Sequence, residues 1–274
     1  MKNFKGGMRD FFSVDLSALK GHYEGILLML DFDGTLVPIV DDPADCYLSP
    51  EVRRYLSMVC HTKGFAVAVI SGRSLSDIKK RVSVKGLYYS GSHGLEISGP
   101  AFNFVHPDAV RMRPVIDGLR KSVAKNMGRT EGLIIEKKPF SFSCHYRMME
   151  KRNVGRTTKK LIALLSQDSV HEHITVMRGK KVIEAIPRID WSKGNAVQVI
   201  MDCLRRKFMP IYVGDDTTDE FAFRVLNDVG LTVRICRSRK SSARYYLKEQ
   251  KEIVPFLAYV YDAGNARAAK DWDP

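Results

Sequence analysis

The stretch Leu27-Leu-Met-Leu-Asp31-Phe-Asp33-Gly-Thr-Leu-Val37 decides how the rest of the chain is read. Ile26 to Leu30 is an unbroken apolar run, the pattern of a strand buried on both faces of a parallel sheet. It passes directly into two carboxylates, a glycine and a threonine. Residues two apart on a strand share a side, so Asp31 and Asp33 are placed to face one reaction centre. Two carboxylates kept together repel unless a cation or a shared proton lies between them. Three readings compete. Asp and Gly are common in solvated turns at strand ends. A calcium loop would repeat the acid where Thr35 stands and add a later glutamate, and Leu36 to Val40 is too apolar for one. The third reading is a nucleophile and an acid/base for phosphoryl transfer, and the other strand ends of the chain favour it.

Working outward, Ser49, Pro50 and Glu51 fit the cap and first turn of a helix running to about residue 62. Phe65 to Ile70 reads as a second buried strand ending at Ser71-Gly72-Arg73. Ser74 caps a short helix through Asp77 and Lys80, and Leu87 to Ser90 is a third strand. This alternation implies a parallel sheet with right-handed crossovers. Gly94 to Phe104 reads as a hairpin around Ser98-Gly99-Pro100. From Pro107 the order changes to helix (108–126), strands (132–137 and 140–147), helix (150–166) and strands (173–178 and 181–186), the last two joined by a turn at Arg178-Gly179-Lys180. The parallel rhythm then returns: helix 192–206, strand 211–213, helix 219–226, strand 231–236 and a helix near 249–261. Residues 1–24 read as a leader that packs on the core or frays. The fold class is therefore α/β, a Rossmann-like parallel core (1–106 and 189–274) interrupted by an inserted α+β subdomain (107–188).

The 274 residues carry 44 Lys and Arg against 31 Asp and Glu, and the excess is uneven. Between Pro107 and Arg188 stand 18 basic and 8 acidic residues, whereas the remainder is nearly balanced. A basic module suits nucleic acid or a small anionic substrate. Few aromatics, Phe140, Phe142 and Tyr146, interleave with these bases, which weakens the nucleic-acid reading. Five cysteines (Cys46, Cys60, Cys144, Cys203, Cys236) lack metal-ligand spacing and read as reduced packing residues. The first residues lack the apolar core of a secretory leader, and no run reaches membrane-spanning length. The expected setting is the cytoplasm, with neither membrane nor nucleic acid as a partner.

Three further element ends line up with Asp31: Ser71 after the second strand, Lys193 opening the helix after the insertion, and the acidic loop Gly214-Asp215-Asp216-Thr-Thr-Asp219-Glu220. Ligands of open parallel sheets bind at the carboxyl ends of strands. Chain order places the strand ending at Asp215 beside the one ending at Asp31. Four or five carboxylates in one cleft need a hard cation, and oxygen ligands at this density suit magnesium. A hydroxyl, a backbone amide and an ammonium at Ser71, Gly72 and Lys193 suit phosphate oxygens.

In this order, Asp31-Phe-Asp33-Gly-Thr, Ile70-Ser71-Gly72-Arg73, Lys193-Gly194 and Gly214-Asp215-Asp216 resemble the motifs of the haloacid dehalogenase-like phosphatase superfamily. Gly91-Ser-His93-Gly-Leu-Glu-Ile97, Glu136-Lys-Lys138, His145-Tyr-Arg147, Glu184 with Pro187, and the full acidic loop are similar to those of its trehalose-6-phosphate phosphatase family. The resemblance spans about residues 25–260. It implies a magnesium-dependent hydrolysis of trehalose 6-phosphate through a phosphoaspartate, the last step of trehalose synthesis. It makes Asp31 the nucleophile and Asp33 the acid/base, with Ser71 and Lys193 on the phosphoryl group beside Gly72 and Arg73. The metal would take Asp31, the Asp33 carbonyl and Asp215, with Asp216 or Asp219. The insertion becomes a substrate-specificity cap whose Glu136, Lys138, Arg147 and Glu184 hold the sugar, with His93 added from the core. Asp33 would need a pKa raised by acidic neighbours. Two departures bear on the sugar: Ser92 stands where the family commonly has Asn, and Pro139-Phe140 is bulkier than the usual small residues. Sucrose 6-phosphate and mannosyl 3-phosphoglycerate are the alternative substrates, and a non-catalytic nucleic-acid module is the alternative from another class.

Overall fold

The computed structural model describes residues 7–16, 23–40, 42, 45–166, 172–179, 181–204 and 206–268. Residues 1–6 and 17–22 of the expected leader, and Lys180 of the expected turn, lie outside them. The chain divides into two compact units, Met1–Phe104 with Trp191–Pro274, and Val105–Asp190.

The larger unit is a nine-stranded sheet. In chain order its strands are β1 (Arg9–Asp10), β2 (Gly25–Leu30), β3 (Phe65–Ile70), β4 (Tyr88–Gly91), β5 (Glu96–Gly99) and β6 (Phe102–Val105), then β11 (Phe208–Gly214), β12 (Leu231–Ile235) and β13 (Tyr245–Leu247). They lie in the order β1-β13-β12-β11-β2-β3-β4-β5-β6. Every pairing from β1 to β4 is parallel, and β4–β5 is antiparallel.

The pleat of β2 explains the layers. Ile26, Leu28 and Leu30 enter one core and Leu27 and Met29 the other, because successive side chains alternate between faces. The first core is roofed by α1 (Pro50–His61), α2 (Leu75–Val82) and α7 (Ile253–Ala268). The second lies under α5 (Lys193–Cys203) and α6 (Asp219–Leu226). Ser49 and Ser74 cap α1 and α2, their hydroxyls accepting from Val52 and Asp77 amides as the sequence implies.

The structure departs from the sequence reading at the margins. β11 begins at Phe208, three residues earlier than expected, with Pro210 inside it. Its pairing with β12 begins only at Ile211, so the proline's missing N–H falls where the strand has one ladder. β1 and β13, too short to show a period, were not anticipated. They pair with each other, and Phe11 just beyond β1 is fully buried against Phe256, their ring centroids 4.7 Å apart. This part of the leader packs on the core.

The smaller unit is an antiparallel sheet of β7 (Ile134–Lys137), β8 (Phe142–His145), β10 (Val182–Pro187) and β9 (Ile174–Gly179), in that order. One face carries α3 (Pro107–Met127) and α4 (Lys151–Leu165), packed on Phe142, Cys144, Ile183 and Ala185. The alternating residues Glu136, Ser143 and Glu184 belong to the other face. They form one cross-strand row, since Ser143 is in register with both glutamates.

Candidate active site

Asp31 immediately follows β2, and its amide donates to the Val213 carbonyl at 2.9 Å, carrying the β2–β11 pairing one step further. Leu30 is in register with Val213, so the acidic loop after β11 emerges beside Asp31. Gly34 has φ of +87°, and a side chain there would strike the Asp215 carboxylate. The glycine of the Asp-x-Asp-Gly motif is thus required by both backbone and neighbour.

Lys193, the first residue of α5, is buried and ties the two segments together. Its Nζ lies 2.6 Å from Asp31 Oδ1 and 2.8 Å from Asp219 Oδ1. Asp219 is fully buried and saturated. Oδ1 also accepts from the Tyr212 hydroxyl at 2.8 Å, and Oδ2 accepts from the amides of Asp215 and Asp216 at 3.0 and 2.9 Å.

Burial pushes the Asp31 carboxyl well above the usual carboxylate range; Asp219 and Asp215 push it further, and Lys193 opposes them. Burial alone would lower Lys193, but Asp219 and Asp31 hold it above its ordinary value, so it stays charged. Burial, reinforced by Asp219, also raises the Tyr212 phenol. One ammonium among three carboxylates leaves negative charge in a low-dielectric place, which a cation would relieve.

Asp31, Asp215 and Asp219 each offer an oxygen within 4.8 Å of the others, and an all-oxygen donor set fits a hard divalent ion such as magnesium. The four hydrogen bonds already on Asp219 suit it to holding Lys193 and the loop; Asp31 and Asp215 are the better placed ligands. Asp216 turns to its own loop, its Oδ1 accepting from the Thr217 amide at 2.7 Å.

Asp33 belongs to a different set of contacts. Arg73 grips it with a two-pronged ion pair, Nε to Oδ2 at 2.8 Å and Nη2 to Oδ1 at 2.7 Å. The Cys46 thiol donates to Oδ1 at 3.2 Å. Its partners are therefore a guanidinium and a thiol rather than the acidic neighbours expected from the sequence. Burial, then the Asp33 charge, pushes that thiol up to about 12. Arg73 also reaches Asp77 at 3.0 Å, and Arg81 meets Asp77 at 2.8 Å. The two arginines hold Asp77 below the carboxylate range against the opposing effect of burial.

Ser71 is buried at the end of β3. Its hydroxyl accepts from the Arg73 amide at 3.1 Å, and its carbonyl accepts from the His93 amide at 3.1 Å. A side chain on Gly72 would collide with the His93 ring, so Ser71-Gly72 and His93 are fitted to each other. Ser92 and His93 are both left-handed, φ +51° and +57°, a conformation Asn adopts more readily than Ser. The Ser92 hydroxyl is anchored on Glu96 at 2.8 Å.

Sequence reasoning missed Cys46, Asp77, Arg81 and Tyr212. The Arg73-Asp77-Arg81 ladder was readable in principle from its four-residue spacing. Nothing local marks Cys46, which reaches Asp33 only through the fold.

In the smaller unit, Lys138 Nζ and the Ser141 hydroxyl both donate to Glu184 Oε1, at 2.8 and 2.7 Å. Glu136 pairs with His145 Nε2 at 2.8 Å, and it lies below the carboxylate range because His145 and Lys138 outweigh its burial. Arg147 lies in the turn after β8, half-buried. Glu136, Lys138 and Glu184 are thus drawn together, around the buried hydroxyl of Ser143.

Comparison with known proteins gives a consistent result. The trehalose-phosphatase family profile matches residues 29–251. The chain is similar to a probable trehalose-phosphate phosphatase (D) of Arabidopsis thaliana, 34% identical over 248 residues, covering 85% of this chain and 66% of the relative. It is also similar to a probable trehalose-phosphate phosphatase (3) of Oryza sativa subsp. japonica, 34% identical over 269 residues, with 90% and 72% covered. The chain spans about two thirds of the length of these curated relatives. Among solved structures, the C-terminal domain of C. albicans trehalose-6-phosphate phosphatase superposes with a TM-score of 0.78 at 22% identity, covering 94% of this chain and 98% of that one. A haloacid dehalogenase-like hydrolase from Bacteroides thetaiotaomicron shares the fold, with a TM-score of 0.57 at 15% identity over 86% of this chain and 99% of that one.

Proposed function

Because the chain belongs to the trehalose-phosphatase family, we propose that it hydrolyses trehalose 6-phosphate to trehalose and inorganic phosphate. The observation that carries this reading is the buried Asp31–Lys193–Asp219 cluster beside Asp215, at the carboxyl ends of two adjacent parallel strands.

In the proposed reaction an Asp31 oxygen attacks phosphorus. The bond from phosphorus to the sugar oxygen breaks, and Asp33, which must first leave its Arg73 ion pair and take up a proton, gives that proton to the oxygen. Water then attacks the phosphoaspartate and yields its proton to Asp33, freeing phosphate and the Asp31 carboxylate. Arg73 and Cys46 hold the Asp33 carboxylate before the substrate binds. Ser71 Oγ, the Gly72 amide and Lys193 bind the phosphoryl oxygens, and Asp219 fixes Lys193. Asp31, Asp215 and the Asp33 carbonyl would hold magnesium, which when bound offsets the repulsion between carboxylate and phosphate dianion.

The smaller unit supplies sugar contacts in this reading: Glu136 and Glu184 accept from hydroxyls, Lys138 and Arg147 donate, and His93 adds a contact from the larger unit. Among the described residues no helix is long and apolar enough to cross a membrane, and all five cysteines are unbridged. The second of these facts supports a reducing compartment such as the cytoplasm.

The test is phosphate release from trehalose 6-phosphate, sucrose 6-phosphate, glucose 6-phosphate and mannosyl 3-phosphoglycerate. Trehalose 6-phosphate is expected to be strongly preferred. Preference for another ester would reassign the sugar contacts, and release from none would overturn the reading. Chelation with EDTA is expected to abolish the activity and magnesium to restore it; turnover indifferent to chelator contradicts the metal site. Glu184→Ala is expected to raise KM for trehalose 6-phosphate roughly tenfold or more, the loss of one charge-assisted contact. Hydrolysis of a small aryl phosphate should be spared, and an equal loss on both substrates rules out Glu184 as a sugar contact.

A further inference from the structure

The smaller unit contains a cleft of about 480 Å³ between α3 and the β7–β8 connection, within the usual size range of small-ligand sites. Arg113, Arg120, Lys137 and Lys138 line it, with Asp117 as the one acid and Pro139 as a wall. Lys138 and Ser141, which hold Glu184, line one side of it, and its other lining residues have no part in the reaction proposed above.

Its electrostatics are unbalanced. The single Asp117 carboxylate carries Arg120 at 3.0 Å, Lys121 at 3.1 Å and Lys137 at 3.8 Å. Lys121 and Arg120 hold it below the carboxylate range, so it stays ionised. One negative charge still cannot neutralise three positive ones. Arg113 adds a fourth: no carboxylate among the described residues pairs with it, and its guanidinium lies 4.4 Å from the Phe140 ring centroid. Phe140 is fully buried, so it holds that guanidinium against a fixed wall. Pro139 forms one side of the cleft, and Phe140, next in the chain, backs the Arg113 guanidinium. Planar guanidinium groups beside ammonium groups suit the oxygens of phosphate.

We propose that this cleft is a binding site for a small phosphate-bearing polyanion, formed by residues of the smaller unit alone. Arg113, Arg120 and Lys137 bind the anion, and Asp117 spaces the cations. The preferred ligand carries more than one negative charge on adjacent phosphoryl groups, because several cations converge on one opening.

Calorimetric titration of the full chain with pyrophosphate, in magnesium-free buffer of low ionic strength, tests this. Inorganic phosphate in a second titration distinguishes a polyanion site from a single-phosphate site. Pyrophosphate is expected to bind more tightly than phosphate. Arg113→Ala and Lys137→Glu should each weaken pyrophosphate roughly tenfold or more. Lys125→Glu, the same reversal at an exposed position of α3 outside the cleft, controls for diffuse attraction and should leave the affinity near the parent value. Unchanged affinity in Arg113→Ala and Lys137→Glu, or an equal loss in Lys125→Glu, would overturn the proposal. Lys137 is largely exposed, so its variant keeps the test valid if Arg113→Ala folds poorly. The readout is binding rather than turnover, so its failure is distinct from a failure of the catalytic reading.

Discussion

Asp31→Asn is expected to lower phosphate release from trehalose 6-phosphate by on the order of 10,000-fold, as loss of a covalent nucleophile does. The same variant should keep its fold. Burial raises the Asp31 carboxyl well above the carboxylate range. A carboxyl raised in this way favours folding below its unfolded pKa and costs stability as pH climbs through the folded value. An amide cannot ionise, so the variant escapes that cost at neutral pH. Lys193 loses one partner but keeps Asp219 at 2.8 Å. Thermal melting in magnesium-free buffer should therefore place Asp31→Asn close to the parent or above it. Near-parental turnover would remove Asp31 as nucleophile. A large fall in melting temperature would instead mean that the Asp31–Lys193 pair carries the fold.

Lys193→Met should have the opposite profile, losing stability together with activity. It takes the ammonium from between two buried carboxylates, at 2.6 and 2.8 Å, and leaves their charges uncompensated. Removing one partner from a buried ion pair costs about 3 to 5 kcal/mol. Asp219 keeps Tyr212 and two amides, so most of the penalty falls on Asp31, whose carboxyl must rise further. Adding Asp31→Asn to Lys193→Met should recover a substantial part of the loss, a coupling measurable by denaturant titration of the parent and the three variants. Additive effects would show that the two groups do not interact as the geometry states. Phosphate release should vanish in both backgrounds, because the reaction proposed above binds the phosphoryl group through the Lys193 ammonium.

The central elements were legible because each leaves a local signature. β2 and β3 are apolar runs that end in polar residues, and the serine caps at Ser49 and Ser74 mark where α1 and α2 begin. The juxtaposition of Asp31 with Asp215 followed from the usual adjacency of parallel strands ending in functional loops, and the observed β2–β11 pairing agrees. The two-residue β1 and the three-residue β13 left no such mark. Strands this short carry no period, and they persist because tertiary packing around Phe11 supports them.

The sequence alone determined which residues stand at the strand ends, and with them the class of chemistry: carboxylates after β2 and β11, a hydroxyl after β3 and a lysine opening α5. Spacing along one chain preserves that information because strand ends project to one edge of a parallel sheet. Only the tertiary structure decided how those charges are partnered. Asp33 turned from the expected acidic cluster to Arg73 and Cys46, while Asp219 became the saturated support of Lys193. Which neighbour satisfies a half-buried or buried charge depends on distances of a few ångströms between residues far apart in the chain. Those distances are set by packing, and no local pattern encodes them.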